Sequence, residues 1–230
     1  MGDKHISKVI IMCGILGRIS TKTSPASTLE GMSLLEYRGY DSYGILLCEP
    51  KEARQTLIKG LGVLDGETRK RLCELSSTIE LAHTRWATHG GVSEENAHPH
   101  HDEQKRFFVV LNGIIENCET ISQELSDEGF TFTSHSDAEL IPHLLARETG
   151  GEIPATKRGI VEVISAVVRQ LTGEFSFVLQ CGKTIAAYKR VNPLLVGYGP
   201  DEIFVSSDLN LVQQYAETYS VLEDGDVFVA

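Results

Sequence analysis

The sequence predicts an α+β fold in which antiparallel sheets are covered by helices. Helical patterns cluster in the middle of the chain, while short strands follow one another in hairpin-like runs in the last third. This segregation is typical of α+β domains, whereas a regular alternation of strand and helix predicts a parallel sheet. With 230 residues, 41% hydrophobic and 23% charged, the chain has the size and balance of one medium globular domain or two small ones.

The first half of the chain is predicted to hold most of the strands. Ser24 opens a helix that has Pro25 at its first position and runs towards Tyr37. A second helix is predicted at 67–75. The strands are predicted at 14–20, 44–48, 55–59, 79–84 and 107–111. The last of them ends in Asn112-Gly113, a pair typical of turns.

The second half is predicted to begin with helices and to end with strands. The helices are predicted at 118–128, 137–148 and 157–171. The strands are predicted at 175–180, 185–188, 194–197, 203–206 and 227–229. The polar segment 85–105 is long for a compact domain, and its polar chemistry favours a functional lid over a disordered loop.

Composition excludes several classes of function. A formal net charge of -11 disfavours binding to nucleic acid and to anionic lipid, and the apolar runs are too short to span a membrane. The start of the chain lacks the apolar stretch of a signal peptide. The five cysteines are scattered without a CxxC pair, which suits a reducing compartment, and we expect a cytoplasmic protein: Cys13, Cys48, Cys73, Cys118 and Cys181.

Cys13 is the first candidate for chemistry. It follows Met12 directly, so trimming an initiator methionine would leave Cys13 at the N-terminus. A free N-terminal cysteine carries its own base, because its α-amino group has a pKa of about 8 and stands beside the thiol. The alternative is a buried cysteine at the start of a core strand, which is what most cysteines are.

A polar constellation follows the strand at 79–84. Arg85 offers a planar fork suited to a carboxylate, and Thr88 and His89 can add hydrogen bonds. Trp86 lies between them. The alternative is a solvated loop in which each of these side chains packs on the surface.

Two later features could complete an active site. The Asn112 amide and the Gly113 N–H could form an oxyanion hole, although Asn-Gly is also an ordinary turn. Asp137 could bind an ammonium group or simply cap a helix. Arg85 and Asp137 together would supply the cation and the anion that an α-amino acid needs at its two charged ends.

A cluster of histidines suggests a metal only weakly. Five of the eight histidines fall between His83 and His101. No acidic or cysteine ligand has the spacing of known zinc motifs, so we expect neither a metal nor a cofactor.

The order and wording of these motifs resemble the class II glutamine amidotransferases. The motifs are MCGI at 12–15, LEYRGYDS at 35–42, HTRWATHG at 83–90, NAHPH at 96–100, NGIIEN at 112–117 and SD at 136–137. Within this family the wording is similar to the glutaminase domain of the glutamine–fructose-6-phosphate aminotransferases, which make glucosamine 6-phosphate. The resemblance covers the chain from Met12 to its end.

The resemblance implies a four-layer αββα N-terminal-nucleophile fold with two stacked antiparallel sheets. It implies that Cys13 attacks the side-chain amide of L-glutamine, and that Asn112 and Gly113 stabilise the oxyanion. Substrate binding is implied for Arg85, with Thr88 and His89, for the α-carboxylate, and for Asp137 at the α-ammonium group. The entrance of an ammonia passage is implied at Trp86, and positions near the nucleophile are implied for Arg38, Tyr40 and His98.

Three departures from the family pattern shape the expected organisation. Residues 1–12 precede Cys13, so we expect an extension that is removed or artefactual before a glutaminase domain at 13–230. Leu111 stands where the family often has His. The sugar-phosphate isomerase domains that would accept the ammonia are absent from this chain. A fragment of the aminotransferase, a free-standing glutaminase and a non-catalytic regulatory module with a separate partner therefore stay open.

Overall fold

The computed structural model describes residues 13–86 and 91–230, and within these residues the chain forms twelve strands and six helices. The helices are α1 (Ala26–Leu35), α2 (Gly66–Cys73), α3 (Cys118–Asp127), α4 (Leu140–Glu148), α5 (Lys157–Val168) and α6 (Leu209–Tyr215), with short 3-10 turns at Glu36–Arg38 and Asp137–Glu139. The strands are β1 (Gly14–Ser20), β2 (Ser42–Glu49), β3 (Arg54–Leu61), β4 (Ile79–Arg85), β5 (His100–His101), β6 (Phe107–Ile115), β7 (Gly173–Cys181), β8 (Thr184–Tyr188), β9 (Leu195–Tyr198), β10 (Glu202–Ser206), β11 (Thr218–Val221) and β12 (Val227–Val229).

The described strands form two antiparallel sheets. The larger sheet has seven strands in the order β11-β9-β10-β1-β4-β2-β3, and the smaller has five in the order β12-β8-β7-β6-β5. In the larger sheet β1 lies between β10 and β4, and in the smaller sheet β6 lies between β7 and β5. Both β1 and β6 are therefore interior strands of their sheets.

Alternating side chains divide the interior into three apolar layers. In β1, Ile15 packs between the two sheets, whereas Leu16 packs against α1 and α6. In β6, Phe108 packs between the sheets, whereas Phe107 and Val109 pack against α3, α4 and α5. Successive residues of a strand point to opposite faces, so apolar residues on both faces require a covering layer on each side. The prediction of a four-layer αββα fold with two stacked antiparallel sheets is confirmed.

Helix ends follow their sequence signals with one shift. The Asp65 carboxylate accepts the N–H groups of Glu67 and Thr68, both at 2.9 Å, and so caps α2. Helix α1 begins at Ala26 with Pro25 in the cap position, so Ser24, the predicted cap, stands one residue before the observed one.

The predicted turn at Asn112-Gly113 is wrong. Strand β6 continues through both residues to Ile115 and stays paired with β7, Asn112 opposite Ser176 and Gly113 opposite Phe175. Gly113 has φ +107°, a conformation that favours glycine. The dipeptide therefore bends the backbone inside a strand, because long-range pairing with β7 overrides the local turn preference.

Two further expectations differ from the structure. Residues 96–100 are buried under β2 and β6 rather than forming part of a lid, while residues 87–90 lie outside the described part of the chain. Helix α6 and strand β11 were not predicted. Among the described helices, the longest has 12 residues, and none is long and apolar enough to cross a membrane.

Candidate active site

The predicted nucleophile lies at one end of the layer between the two sheets. Cys13 immediately precedes β1, in which Ile15 faces the opposite sheet, and a two-residue period places Cys13 on that same face. By the same period, His83 of β4 lies on the same face as Leu81, which packs in this layer. Asn112 enters it from the other sheet. Residues distant in sequence thus meet where the interior of the sandwich opens.

Cys13 is surrounded by hydrogen-bond donors. The Trp86 N–H donates to Cys13 Sγ at 3.2 Å, and Asn112 Nδ2 donates to the Cys13 carbonyl at 2.8 Å. Arg38 Nε donates to the same carbonyl at 3.4 Å. Burial raises the pKa of the Cys13 thiol above its usual range, against the opposing effects of the Trp86 N–H and the Arg85 charge. A nucleophile in this setting needs a base to remove its proton.

The turn at Glu36–Arg38 supports the Trp86 side of the site. Gly39 is extended, and a Cβ there would lie 2.6 Å from the carbonyl carbon of Arg85, so only glycine permits this approach. The Asp41 N–H donates to the Arg85 carbonyl at 3.0 Å. The Tyr40 ring meets the Trp86 ring edge-on at 5.0 Å. These contacts hold the Arg85–Trp86 backbone beside the thiol.

Asp208 is a buried residue of the site that the sequence reasoning missed. Its carboxylate lies 3.1 Å from Arg38 Nη1 and accepts a hydrogen bond from the Tyr37 hydroxyl. Burial opposes its ionisation, but the hydrogen bonds from Tyr37 and Asn210 outweigh burial and lower the pKa of Asp208. The same carboxylate caps α6 through the Asn210 N–H at 2.8 Å. An Asp before an apolar run was the available signal.

His83 orients the Asn112 side chain. Its Nε2 lies 3.1 Å from the Leu111 carbonyl and 3.3 Å from Asn112 Oδ1, and both are acceptors, so Nε2 carries the hydrogen. Burial lowers the pKa of His83 to about 3, which keeps the ring neutral. With Oδ1 held by His83, the Asn112 amide nitrogen is turned towards Cys13.

His98 lies behind the site rather than against the nucleophile. Its ring stacks on His83 at 4.3 Å, and its Nδ1 accepts the Leu111 N–H at 3.2 Å. The neutral ring then carries its hydrogen on Nε2, which lies 3.2 Å from Ser136 Oγ. In the described contacts His98 thus reaches Cys13 through His83 and Asn112. The Leu111 side chain packs against the helices, so the departure from the family's His leaves the site face unchanged.

Arg85 and Asp137 are both tied to backbone groups. Arg85 is buried and its Nη1 donates to the Gly91 carbonyl at 3.2 Å. The Asp137 carboxylate accepts the Ile115 N–H at 2.7 Å, which joins the 3-10 turn to the end of β6 rather than capping a helix. Asp137 also lines a groove of about 500 Å³ beside α3. Thr88 and His89 lie outside the described residues.

The histidine cluster does not form a metal site in the described part of the chain, where no three His, Cys, Asp or Glu side chains converge as ligands. His83, His98 and His100 instead make ring contacts with one another. The chemistry of the described site is that of a partly buried thiol, amide donors and a buried guanidinium group.

Two stacked antiparallel sheets between helices are the fold of the N-terminal-nucleophile hydrolases. In this chain Cys13 lies at one end of the layer between the two sheets. The model of a family described as a glutamine amidotransferase domain matches residues 83–214. The structure is also similar to glutamine phosphoribosylpyrophosphate amidotransferase from B. subtilis, with a TM-score of 0.78 and 24% identity over 94% of this chain and 47% of that one. At this identity the likeness shows the shared fold.

Curated relatives point to the same family. The chain is 36% identical to the glutamine–fructose-6-phosphate aminotransferase (isomerizing) of Synechocystis sp. and 38% identical to that of Idiomarina loihiensis, in each case over 94% of this chain and 35% of the relative. The chain belongs to the glutamine amidotransferase family. It spans about a third of the length of these relatives.

Proposed function

We propose that this chain hydrolyses the side-chain amide of glutamine to glutamate and ammonia, with Cys13 as the nucleophile. The observation that carries the proposal is the placement of the partly buried Cys13 beside amide donors from both sheets. The Trp86 N–H reaches Cys13 Sγ at 3.2 Å, and Asn112 Nδ2 reaches the Cys13 carbonyl at 2.8 Å. A thiol placed among fixed donors suits acyl transfer, in which negative charge moves from sulfur to oxygen.

The α-amino group of Cys13 is the base in this proposal. It takes the thiol proton as sulfur bonds to the amide carbon, and it returns that proton to the leaving nitrogen, which departs as ammonia. Water then attacks the thioester and gives a proton to the same amine, which passes it to sulfur as the C–S bond breaks, so that glutamate is released and the thiol is regenerated. A free amine with a pKa of about 8 can accept and donate a proton near neutral pH.

Asn112 and Gly113 stabilise the oxyanion that forms in both halves of the reaction. The Asn112 amide has two hydrogens, and the bond to the Cys13 carbonyl uses one of them. The other hydrogen and the Gly113 N–H are donated to the substrate oxygen when it becomes negative. Each such donor lowers the barrier by about 3 kcal/mol.

Charged side chains select an α-amino acid in this proposal. Arg85, with Thr88 and His89, binds the α-carboxylate, and Asp137 binds the α-ammonium group. Burial of Arg85 supports this role, because a guanidinium group held in a low-dielectric site favours an anionic partner. Trp86 borders the path by which ammonia leaves, and Arg38 holds the Cys13 carbonyl.

The acceptor of the ammonia is a sugar phosphate in this proposal. The relatives named above are glutamine–fructose-6-phosphate aminotransferases, so a sugar-phosphate isomerase domain or subunit is the partner that their names support. The glutaminase domain then corresponds to residues 13–230, and removal of residues 1–12 exposes the amine of Cys13. With those residues attached, the base is an amide nitrogen and cannot accept the proton.

The proposal is tested by comparing the full chain, Met1–Ala230, with a protein whose translation starts at Met12. We expect the protein whose mass begins at Cys13 to convert glutamine to glutamate. The unprocessed chain should be slower by about 1000-fold or more, since it lacks the base. Cys13→Ala should be inactive, whereas Cys73→Ala, at an exposed cysteine of α2, should keep full activity.

Two outcomes would overturn the proposal. One is full-rate hydrolysis by protein of intact Met1–Ala230 mass, and the other is turnover that survives in Cys13→Ala. An isomerase partner supplied with fructose 6-phosphate should convert the released nitrogen into glucosamine 6-phosphate. If glutamate forms without that product, the proposed glutaminase activity stands and the proposed sugar-phosphate acceptor is wrong.

A further inference from the structure

The loop between β8 and β9 reaches the back of the proposed oxyanion hole. Asn192 of this loop places its side-chain Nδ2 3.3 Å from the Asn112 carbonyl oxygen and 3.1 Å from the Glu174 carbonyl oxygen. One amide group thereby bonds β6 and β7 at the same point. Asn192 lies 80 residues from Asn112 in sequence, and none of the recognised motifs includes it.

A bond to the Asn112 carbonyl also sets the direction of the Gly113 N–H. The two groups belong to one peptide unit, and in a trans peptide the C=O and N–H point in opposite directions. Holding the oxygen from the Asn192 side therefore aims the hydrogen away from Asn192. A rotation of this peptide plane would displace the N–H that the proposed mechanism uses.

Asn192 also occupies the space that a side chain at position 113 would need. A Cβ on Gly113 would lie 2.4 Å from Asn192 Nδ2 and 2.0 Å from the Glu174 carbonyl oxygen. The Asn192 amide thus occupies space that is free only because residue 113 is glycine. The bend at φ +107° is filled by the Asn192 amide.

Ser176 anchors the loop that carries Asn192. Its side chain is fully buried, and it pairs with Asn112 across β6 and β7. The Arg190 N–H donates to Ser176 Oγ at 3.0 Å, and Ser176 Oγ donates to the Asn192 carbonyl at 2.7 Å. On the outer side, the Val191 N–H donates to Asp224 Oδ1 at 2.9 Å. The loop is therefore held on both sides of Asn192.

We propose that Asn192 is a positioning residue for catalysis, which orients the Asn112–Gly113 peptide so that the Gly113 N–H faces the oxyanion. This inference rests on the proposed glutaminase function. Asn192 acts through the peptide and does not touch the substrate. Its loss should therefore impair the stabilisation of the tetrahedral intermediates more than the binding of glutamine.

The test uses Asn192→Ala and Asn192→Asp in protein that begins at Cys13. For Asn192→Ala we expect kcat to fall roughly tenfold or more while KM for glutamine changes by less than about twofold. Asn192→Asp is isosteric but turns a carboxylate towards two carbonyl oxygens, so its kcat near neutral pH should fall further. Val191→Asn, at an exposed neighbour with φ +69°, is the matched control and should keep wild-type kinetics.

The pH profile separates positioning from a merely structural contribution. Two facing carbonyl oxygens favour the neutral acid of Asn192→Asp and so raise its pKa, and the protonated acid can donate a hydrogen bond again. The ratio of kcat for Asn192→Asp to kcat for wild type should therefore rise as pH falls. Thermal unfolding of both variants, measured alongside, shows whether they are folded under the assay conditions.

Failure of the inference is distinguishable from failure of the function. If wild type turns over glutamine, Asn112→Ala abolishes turnover and Asn192→Ala keeps the wild-type kcat, Asn192 is not a positioning residue. A rise in KM at constant kcat, or a kcat ratio for Asn192→Asp that does not change with pH, would overturn it as well. If Cys13→Ala turns over glutamine at the wild-type rate, the proposed function itself is wrong.

Discussion

At the scale of single residues, the hydrogen on His83 Nε2 decides which end of the Asn112 amide faces Cys13. A charged ring would still donate from Nε2, but burial lowers the pKa of His83 to about 3 and holds it neutral. Its Nδ1 has no hydrogen-bond partner among the described residues. The Nε2–H is therefore the polar contact through which this ring affects Asn112.

Two replacements of His83 should separate the effect of its Nε2–H donor from the effect of the ring itself. Gln has its amide nitrogen near the position of Nε2, so His83→Gln should retain most of the glutaminase kcat. His83→Leu leaves Asn112 Oδ1 buried without that donor, and we expect kcat to fall by about tenfold with little change in KM. Glutamine kinetics beside thermal unfolding of both variants would check this. Equal kcat for His83→Leu and wild type would show that Asn112 needs no support from His83.

At the scale of elements, β6 contributes both proposed oxyanion donors. Its apolar residues before position 112 alternate between the inter-sheet layer and the helix-facing layer. The strand is rigid there because it is paired with β7 along its whole length. A donor on a paired strand keeps its geometry better than a donor on a loop, since ladder hydrogen bonds restrict its backbone.

A pair of glycines tests how tightly β6 is held at the bend. Gly113 and Gly129 have φ +107° and +97°, but a Cβ at Gly129 would meet nothing within 4 Å. Gly129→Ala should cost about 1 kcal/mol of unfolding free energy for its backbone conformation alone. Gly113→Ala should cost about 3 kcal/mol more, because its Cβ collides with backbone. Denaturant unfolding measures both losses of unfolding free energy. Equal losses would mean that the β6 backbone shifts easily to accommodate the Cβ.

At the scale of the whole molecule, buried neutral histidines connect the active site to acid stability. His83, His98 and His100 form a row of ring contacts between β4, the 96–101 segment and β6. Burial lowers the pKa of all three, and the positive charge of Lys59 on β3 adds to this effect at His100. Glu139 opposes it there. Neutral rings are therefore part of the folded state.

Stability should increase with pH between about 5 and 7. Below their ordinary pKa of about 6.5, these histidines bind protons when the chain is unfolded but not when it is folded. Each then removes about 1.4 kcal/mol of unfolding free energy per pH unit as the pH falls. His100→Asn should reduce this slope by the contribution of one histidine, about 1.4 kcal/mol per pH unit. His135→Gln, which removes an exposed histidine, is the matched control.

Urea unfolding between about pH 5 and pH 8 would measure the slope. A profile that is flat across this range would show that the three rings bind protons in the folded protein. Burial lowers the pKa of Lys59 to about 8, so its contribution to the pH dependence lies above this range. Burial opposes the ionisation of Glu139, but hydrogen bonds from the backbone and hydroxyl groups of Thr133 and Ser134 outweigh it and lower the pKa, so Glu139 contributes below the range.

Much of the fold was encoded locally. Short apolar stretches bounded by turn residues predicted most strands to within two or three residues, including 14–20 and 227–229, because both signals are local to the segment. The family motifs predicted the nucleophile candidate Cys13 and the αββα class. The roles of Arg85 and Asp137 stay predictions, and those of Thr88 and His89 concern residues outside the described chain.

Only the tertiary structure decided how the candidates are arranged. Asn112 lies 99 residues from Cys13, Asp208 lies 170 from Arg38, and Asn192 lies 80 from Asn112. No local pattern carries these pairings, because they depend on strand order and register across two sheets. Local chemistry even misled at Asn112-Gly113, where a dipeptide typical of turns became part of a strand. Sequence determined which groups were available, and sheet stacking decided which of them meet the thiol.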